Sequence, residues 1–219
     1  MKVRELLDRL HWLGHDSFRL DGPPVVYFDP WQLRPADIEG AERVADLVLV
    51  SHEHGDHCSP ADIEAISGPD TVVICNAGSA EQLPGARTMR PGESTTAAGI
   101  EIEAVRAYNL NKFRAPGVPF HPREADMLGY VITIHGLRLY FAGDTDHIPE
   151  MADIDCHVAL LPVSGKYVMT DAEAADAART IGPQVVVPMH FGSGIGTADD
   201  GKSFTQLYDG DVVILEAGG

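Results

Sequence analysis

The sequence predicts a single α/β domain spanning residues 1–219, with two β-rich halves packed face to face and helices outside them. Three observations lead there. The chain has 219 residues and is 44% hydrophobic, enough for one large core and short for two. Short β-branched and aromatic runs alternate with turn signals along most of it. One unit, an apolar strand followed by a loop and a capped helix, occurs twice in outline, at ADLVLVSHEHGDHCSPADIEAI and at HVALLPVSGKYVMTDAEAADAARTI. The likeness of the two units is too loose for a sequence repeat. No linker, low-complexity segment or domain boundary separates them.

In chain order, HWLGHDSFRL and PVVYFDP read as the first strands, parted by Asp21-Gly22. ADLVLVSH is a buried strand. Ser59-Pro60 then supplies a helix N-cap and a first-turn proline, leading into ADIEAI. TVVICNA and GIEIEAVRAY are strands, and MLGYVITIHGLRLYFAGD is a pair turning at His135-Gly136. HVALLPV is a further strand. TDAEAADAARTI is a helix in which Thr170 and Glu173 have capping-box spacing. QVVVPMH and DVVILEA close the chain as strands.

Composition narrows the function classes. With 16 basic and 33 acidic residues the formal charge is −17, a field that repels nucleic-acid phosphates. No apolar window reaches the roughly 18 residues of a membrane span, and MKVRELLDRLHW places charges where a signal peptide needs an apolar stretch. Cys58, Cys75 and Cys156 are scattered and odd in number, so no disulfide framework is expected, and Cys58 reads as a small buried residue. A cytoplasmic protein is expected, with a small-molecule substrate and neither nucleic-acid nor membrane partners.

The chemistry concentrates in SHEHGDHCSP, where His52, His54, Asp56 and His57 fall within six positions just after a strand. A loop at a strand end is where a rigid scaffold presents functional groups. Imidazole and carboxylate together suit zinc, and also manganese or iron. Four such donors cannot all reach one ion with good geometry. Two adjacent ions divide them sensibly, His52 and His54 on one, Asp56 and His57 on the other.

His52-x-His54-x-Asp56-His57 after an apolar strand resembles the signature of the metallo-β-lactamase-fold hydrolases. Further landmarks match in order along nearly the whole chain: Asp29 in YFDP, Asp144 in FAGDTD and His190 in VVPMHFG. WLGHDSF, and the run from GDTD through IPEM to LLPV, resemble compact members similar to ascorbate-phosphate lactonase. The resemblance implies a four-layer αββα sandwich with a dinuclear metal site at one sheet edge. It implies that Asp144 is shared between two ions, that His190 is the last histidine ligand and that Asp29 braces the metal loop. It also requires one more histidine between the cluster and Asp144, for which His121 and His135 compete. His135 sits at a hairpin turn away from the other motifs, whereas His121 lies in a long loop, so we favour His121. His15 is expected to face the site. His147 matches no ligand position, and His11 and His157, at strand starts, read as structural.

The leading expectation is therefore a metal-dependent hydrolase, lactonase- or phosphodiesterase-like. His52, His54 and His121 hold one ion; Asp56, His57 and His190 hold the other, with Asp144 between. A metal-bridging hydroxide attacks a carbonyl or phosphoryl centre, and Asp56 orients it or moves its proton. The rivals are a non-catalytic metal-binding or sensing domain, a nuclease, and a diiron redox enzyme. Diiron relatives carry a glutamate where this chain has His54 and usually a flavin domain for which 219 residues leave no room. Compact relatives often assemble, so a homo-oligomer is an open expectation.

From Ala104 to Arg123 there are four basic residues (Arg106, Lys112, Arg114, Arg123) and no acid, against the overall charge. With Asn109, Asn111 and His121 in the same stretch, this reads as a local positive funnel that selects a small anionic substrate. Lys112 is the first expected anion contact, with Lys166 beside Tyr167 as the second, and Asn109 nearby.

Overall fold

The computed structural model describes residues 1–40, 43–192 and 194–218. The first half of the chain forms a six-stranded sheet in sequence order: β1 (Leu10–Gly14), β2 (Ser17–Leu20), β3 (Val26–Phe28), β4 (Ala45–Val50), β5 (Ser67–Cys75) and β6 (Arg87–Thr88). The second half contributes β7 (Ser94–Ala97), β8 (Ile100–Arg106), a small hairpin of β9 (Phe113–Ala115) and β10 (Val118–Pro119), then β11 (Leu128–Ile134), β12 (Leu137–Phe141), β13 (Val158–Pro162) and β14 (Val185–Met189). Its six-stranded sheet runs β14-β13-β12-β11-β8-β7. The helices are α1 (Val3–Leu7), α2 (Pro35–Ile38), α3 (Pro60–Ile66), α4 (Ala77–Ala80), α5 (Asp171–Ile181) and α6 (Asp200–Leu207).

β4 shows why the sheets stack in layers. It pairs in parallel with β3 and β5, and its alternating residues are buried on both faces. Leu47 and Leu49 join the core between the sheets, while Val48 and Val50 join a second cluster with Ile63 and Ile66 of α3. Across the central core, Phe28 of the first sheet meets Phe141 of the second, ring centroids 5.1 Å apart. Truncating Phe141 to alanine there would cost roughly 3–5 kcal/mol. On the far side α5 packs against β13 through Ala174, Ala175, Ala177 and Ala178, all buried and short enough to bring the helix close. Its capping box forms: the Thr170 hydroxyl accepts from the Glu173 amide at 3.2 Å, and the Glu173 carboxylate accepts from the Thr170 amide at 2.8 Å. The layers are thus helix, sheet, sheet and helix, the metallo-β-lactamase arrangement.

Two contacts lock the sheets together where the strand ends meet. The Tyr130 hydroxyl donates to the Val50 carbonyl at 2.7 Å. Gly143 has φ +62°, and a Cβ there would lie 2.9 Å from the Leu128 carbonyl oxygen and 3.1 Å from Ser51 Cβ. Only glycine lets the loop after β12 approach the loop after β4 so closely.

One expected strand does not form. DVVILEA makes only an isolated bridge, Val212 to Val186, beside β14. The segment then crosses to the other sheet, where the Gly218 amide donates to the Trp12 carbonyl at 2.9 Å. Its apolar residues Val212, Val213 and Leu215 cover the open side of the core instead of extending a ladder. Among the described residues no helix is long and apolar enough to cross a membrane.

Candidate metal centre

The loops that follow β4, β10, β12 and β14, with the turn between β1 and β2, converge at one end of the sandwich. His52 and His54 leave β4; His121 arrives from the long loop after β10. The donor atoms of these three imidazoles lie within 4.8 Å of one another, and His52 Nε2 is 3.0 Å from His54 Nδ1. The remaining nitrogens are held from behind: His52 Nδ1 by Ser51 Oγ at 2.8 Å, and His121 Nδ1 by Asn109 Oδ1 at 2.9 Å. Such outer partners fix which nitrogen faces a metal. His135 is exposed at the β11–β12 turn with φ 50°, so of the two competing histidines the structure brings only His121 to the cluster.

A second group lies beside the first. His57 Nδ1 donates to Asp29 Oδ2 at 2.7 Å, and its Nε2 faces Asp144 Oδ1 at 3.4 Å. His190 Nε2 is also 3.4 Å from Asp144 Oδ1, and its Nδ1 meets Ser164 Oγ at 2.9 Å. Asp144 Oδ2 lies 3.2 Å from His121 Nε2 in the first group, so one carboxylate touches both. Asp29 is the brace: its oxygens accept from the Ser51 amide at 2.7 Å, the Ser51 hydroxyl at 2.5 Å and His57. The His15 ring stands 4.3 Å from that of His190 and 5.1 Å from that of His57, and its Nε2 is 3.4 Å from Asp56 Oδ2. His15, Asp29, Tyr167 and His190 all have φ between 39° and 71°. Backbone strain of this kind persists where the surroundings over-determine a functional geometry.

This donor set fits divalent cations. His57 Nε2 and Asp144 Oδ1 are buried, face each other and have no hydrogen-bond partner, as atoms reserved for a ligand would be. Burial, with His57 nearby, holds His52 well below the usual imidazole range, so it is the neutral donor a metal needs. Burial would raise Asp144, but His190, His57 and His121 hold it well below the usual carboxylate range. His57 is pushed up, against burial, by Asp144 and Asp29. That position favours a positive charge, proton or metal.

A cleft of about 290 Å³ opens over the donors, lined by His54, Asp56, Arg114, Phe120, His121, Asp144 and Tyr167. Phe120 and Tyr167 meet edge to face at 4.6 Å, and an Arg114 Nη donates to the Phe120 carbonyl at 2.8 Å. The expected lysine contact is elsewhere. Lys112 is spent on acids, 2.7 Å from Glu173 and 3.3 Å from Asp146, and does not line the cleft. Lys166 lies over the Tyr167 ring at 5.4 Å, also off the cleft wall. Asn109 is buried, orienting His121 and donating to the Tyr167 carbonyl at 2.8 Å. His147 turns to Thr180 at 3.0 Å.

Sequence reasoning passed over Asp16, Ser51, Ser164 and Asp146. Ser51 adjoins the cluster and Asp146 completes GDTD, so both carried a signal of position. Ser164 and Asp16 carried none beyond their neighbours in LPVSGKY and WLGHDSF.

A family profile described as a beta-lactamase superfamily domain matches residues 9–190. A UPF0173 metal-dependent hydrolase of Methanoculleus marisnigri is 35% identical, over 84% of this chain and 80% of its own length. Another, of Methanopyrus kandleri, is 32% identical over 96% of this chain and 97% of its own. Among solved structures, a protein of Parabacteroides distasonis assigned as a metal-dependent hydrolase superposes with a TM-score of 0.82 at 35% identity, covering 94% of this chain and 93% of its own. With the αββα sandwich and the clustered histidines already in place, these matches make the chain a member of the beta-lactamase superfamily, among its UPF0173 metal-dependent hydrolases.

Proposed function

We propose that the protein hydrolyses a carbonyl or phosphoryl bond in a small anionic metabolite, using two divalent cations, zinc first among them. The observation that carries this reading is Asp144, whose two oxygens face the first group through His121 and the second through His57 and His190. When bound, such cations act as Lewis acids and make water nucleophilic near neutral pH. Manganese and iron also suit these ligands.

The residues divide the remaining work. Asp56 opens on the cleft, and His15 with His57 holds it below the usual carboxylate range although burial raises it. It is therefore ionised at neutral pH and placed to take the proton of an attacking water. His15, which burial lowers to about 4, is neutral there and aims that carboxylate by its contact to Oδ2. Arg114 supplies the positive charge for the substrate's anionic group, and Phe120 with Tyr167 walls off its apolar part. The surrounding charge of −17 turns away long polyanions, which disfavours a nuclease. The free, buried cysteines suit a reducing compartment, and we place the protein in the cytoplasm.

The test is metal analysis joined to a screen. Protein purified without chelators should hold close to two cations per chain, lose hydrolysis on chelation and regain it with zinc. Lactones, phosphodiesters and thioesters, each in anionic and neutral versions, make up the panel. Absence of stoichiometric metal, or full metal content in His54→Ala, sinks the reading. Two bound cations without turnover of any substrate leave a metal-binding or sensing protein in its place.

A further inference from the structure

Tyr167 lines the cleft with its backbone in the left-handed region, φ 71°, a conformation that residues other than glycine rarely adopt. It belongs to a loop tied at both ends. Ser164 Oγ lies 2.9 Å from His190 Nδ1, and the buried Met169 donates its amide to the Thr145 carbonyl at 3.2 Å. Between these ties the Tyr167 carbonyl accepts from Asn109 Nδ2 at 2.8 Å. The other partners of Asn109 fix which way its amide points. Its Oδ1 accepts from the His121 amide and from His121 Nδ1, both at 2.9 Å. Its Nδ2 therefore faces acceptors, the Tyr167 carbonyl and, at 3.3 Å, Asp146 Oδ1. One buried side chain thus sets a histidine of the donor cluster with its oxygen and the cleft wall with its nitrogen. A carboxylate at position 109 would serve the imidazole equally well, but it would repel the Tyr167 carbonyl and Asp146.

We propose that Asn109 is a positioning residue for substrate selection: its Nδ2 holds the Tyr167 peptide in the left-handed conformation, and the ring so placed selects substrates with an apolar group beside the scissile bond. The inference rests on the reading of the cleft given above. The Tyr167 ring meets Phe120, the residue before His121, edge to face at 4.6 Å, so the aromatic wall is registered to the same histidine that Asn109 holds. Without the Nδ2 donor, the strained peptide relaxes toward an ordinary φ and carries the ring off the wall.

Asn109→Asp keeps the oxygen that serves His121 and removes the donor that serves Tyr167. The crystal structure of the zinc-loaded variant should show His121 in place, with Tyr167 at a negative φ and its ring off the cleft wall. An unmoved Tyr167 overturns the proposal. In chelator competition the variant should bind zinc at wild-type affinity or tighter, whereas Asn109→Ala, which loses both bonds, should bind it more weakly. Asn109→Asp should also raise KM about tenfold for an anionic benzyl thioester, with kcat little changed and KM for the methyl thioester unaltered. Equal losses with both thioesters, or an unchanged KM for the benzyl one, overturn the proposal. Should Asn109→Asp not fold, Tyr167→Gly takes its place, because glycine adopts the same φ without a steric cost. It should show the same split between the two thioesters, and a wild-type KM for the benzyl thioester in Tyr167→Gly overturns the proposal. Where both variants fold, adding Asn109→Asp to Tyr167→Gly should raise KM no further, and additive increases overturn the proposal. A wild type that turns over neither thioester nor any other member of the panel sinks the hydrolase reading instead, and the conformation of Tyr167 in Asn109→Asp still decides what Asn109 holds.

Discussion

His57 and His190 are held by the framework, whereas His121 is held by a loop that must be pinned from outside. His57 leans on Asp29, which stands at the end of β3 and shares its oxygens with Ser51 at the end of β4. His190 directly follows β14, its amide donating to the His15 carbonyl at 3.2 Å. Every one of these anchors is a strand end. The His121 loop has no such support. It is pinned by Asp146, which accepts from the amides of Leu110 at 2.6 Å and Asn111 at 2.8 Å, and by Lys112 reaching Glu173 on α5. One donor group is thus built into the fold, and the other is completed by a strap. The same strap carries the cleft residues Arg114 and Phe120.

The largest effect should come from the residue that belongs to both sides of this comparison. On the proposed two-cation reading, Asp144→Asn should weaken both cations and lower kcat/KM by ~10³-fold or more, about 4 kcal/mol of transition-state stabilisation. Elemental analysis beside steady-state kinetics tests it, and an intact metal content with normal turnover would break the picture of a shared carboxylate. Next come the two braces. Asp29→Asn removes support from His57 and, through Ser51, from His52, so it should weaken metal binding by about 10–100-fold. Among the clustered histidines Asn109 holds only His121, so Asn109→Ala should fall at the low end of that range, confined to one of the proposed cations. If Asn109→Ala costs more than Asp29→Asn in chelator competition, framework and strap have been assigned the wrong way round.

This contrast also marks what was legible in the sequence. The framework donors were: a strand ending in His-x-His-x-Asp-His, an aspartate closing YFDP and a histidine closing VVPMH are local patterns, because strand ends place them. The two sheets and the capped helices α3 and α5 were legible for the same reason. The strap was legible only in part. His121 stood out as a histidine in a long loop, but whether a lysine in that loop faces the substrate depends on which acids fold against it. Glu173 lies 61 residues away and claims Lys112. Asp16 was hidden because a buried acid and a turn acid look alike until the fold closes over one of them. DVVILEA had the composition of a strand, and a tertiary demand, covering the open side of the core, overrode it.

A smaller effect should separate the two cations of the strap. Arg114→Ala should raise KM for an anionic substrate about tenfold, roughly 1.4 kcal/mol, with kcat little changed. Lys112→Ala should leave that KM within about twofold, since its charge is already neutralised by Glu173 and Asp146. The reverse order in Michaelis constants would return the anion contact to Lys112.

The smallest effect concerns how firmly the strap is tied down. Burial raises the Glu173 carboxyl, but Lys112, the Thr170 amide and Asn111 bring it down to about 2 from an ordinary 4.5. A carboxyl depressed in the folded state binds protons more readily when unfolded, so its contribution to stability is fully present above pH 4.5. That contribution is lost as the pH falls from 4.5 toward 2. Lys112→Met removes the largest of these favourable partners and moves the folded-state value back toward 4.5. The half-buried pair should contribute on the order of 1 kcal/mol at neutral pH, so metal-free Lys112→Met should melt slightly below metal-free wild type there. The gap between the two should narrow as both are taken down toward pH 2, where even the wild-type Glu173 is about half protonated. A gap that stays constant across that range would mean that Lys112 acts by packing alone. The strap would then be tied by Asp146 without electrostatic help from α5.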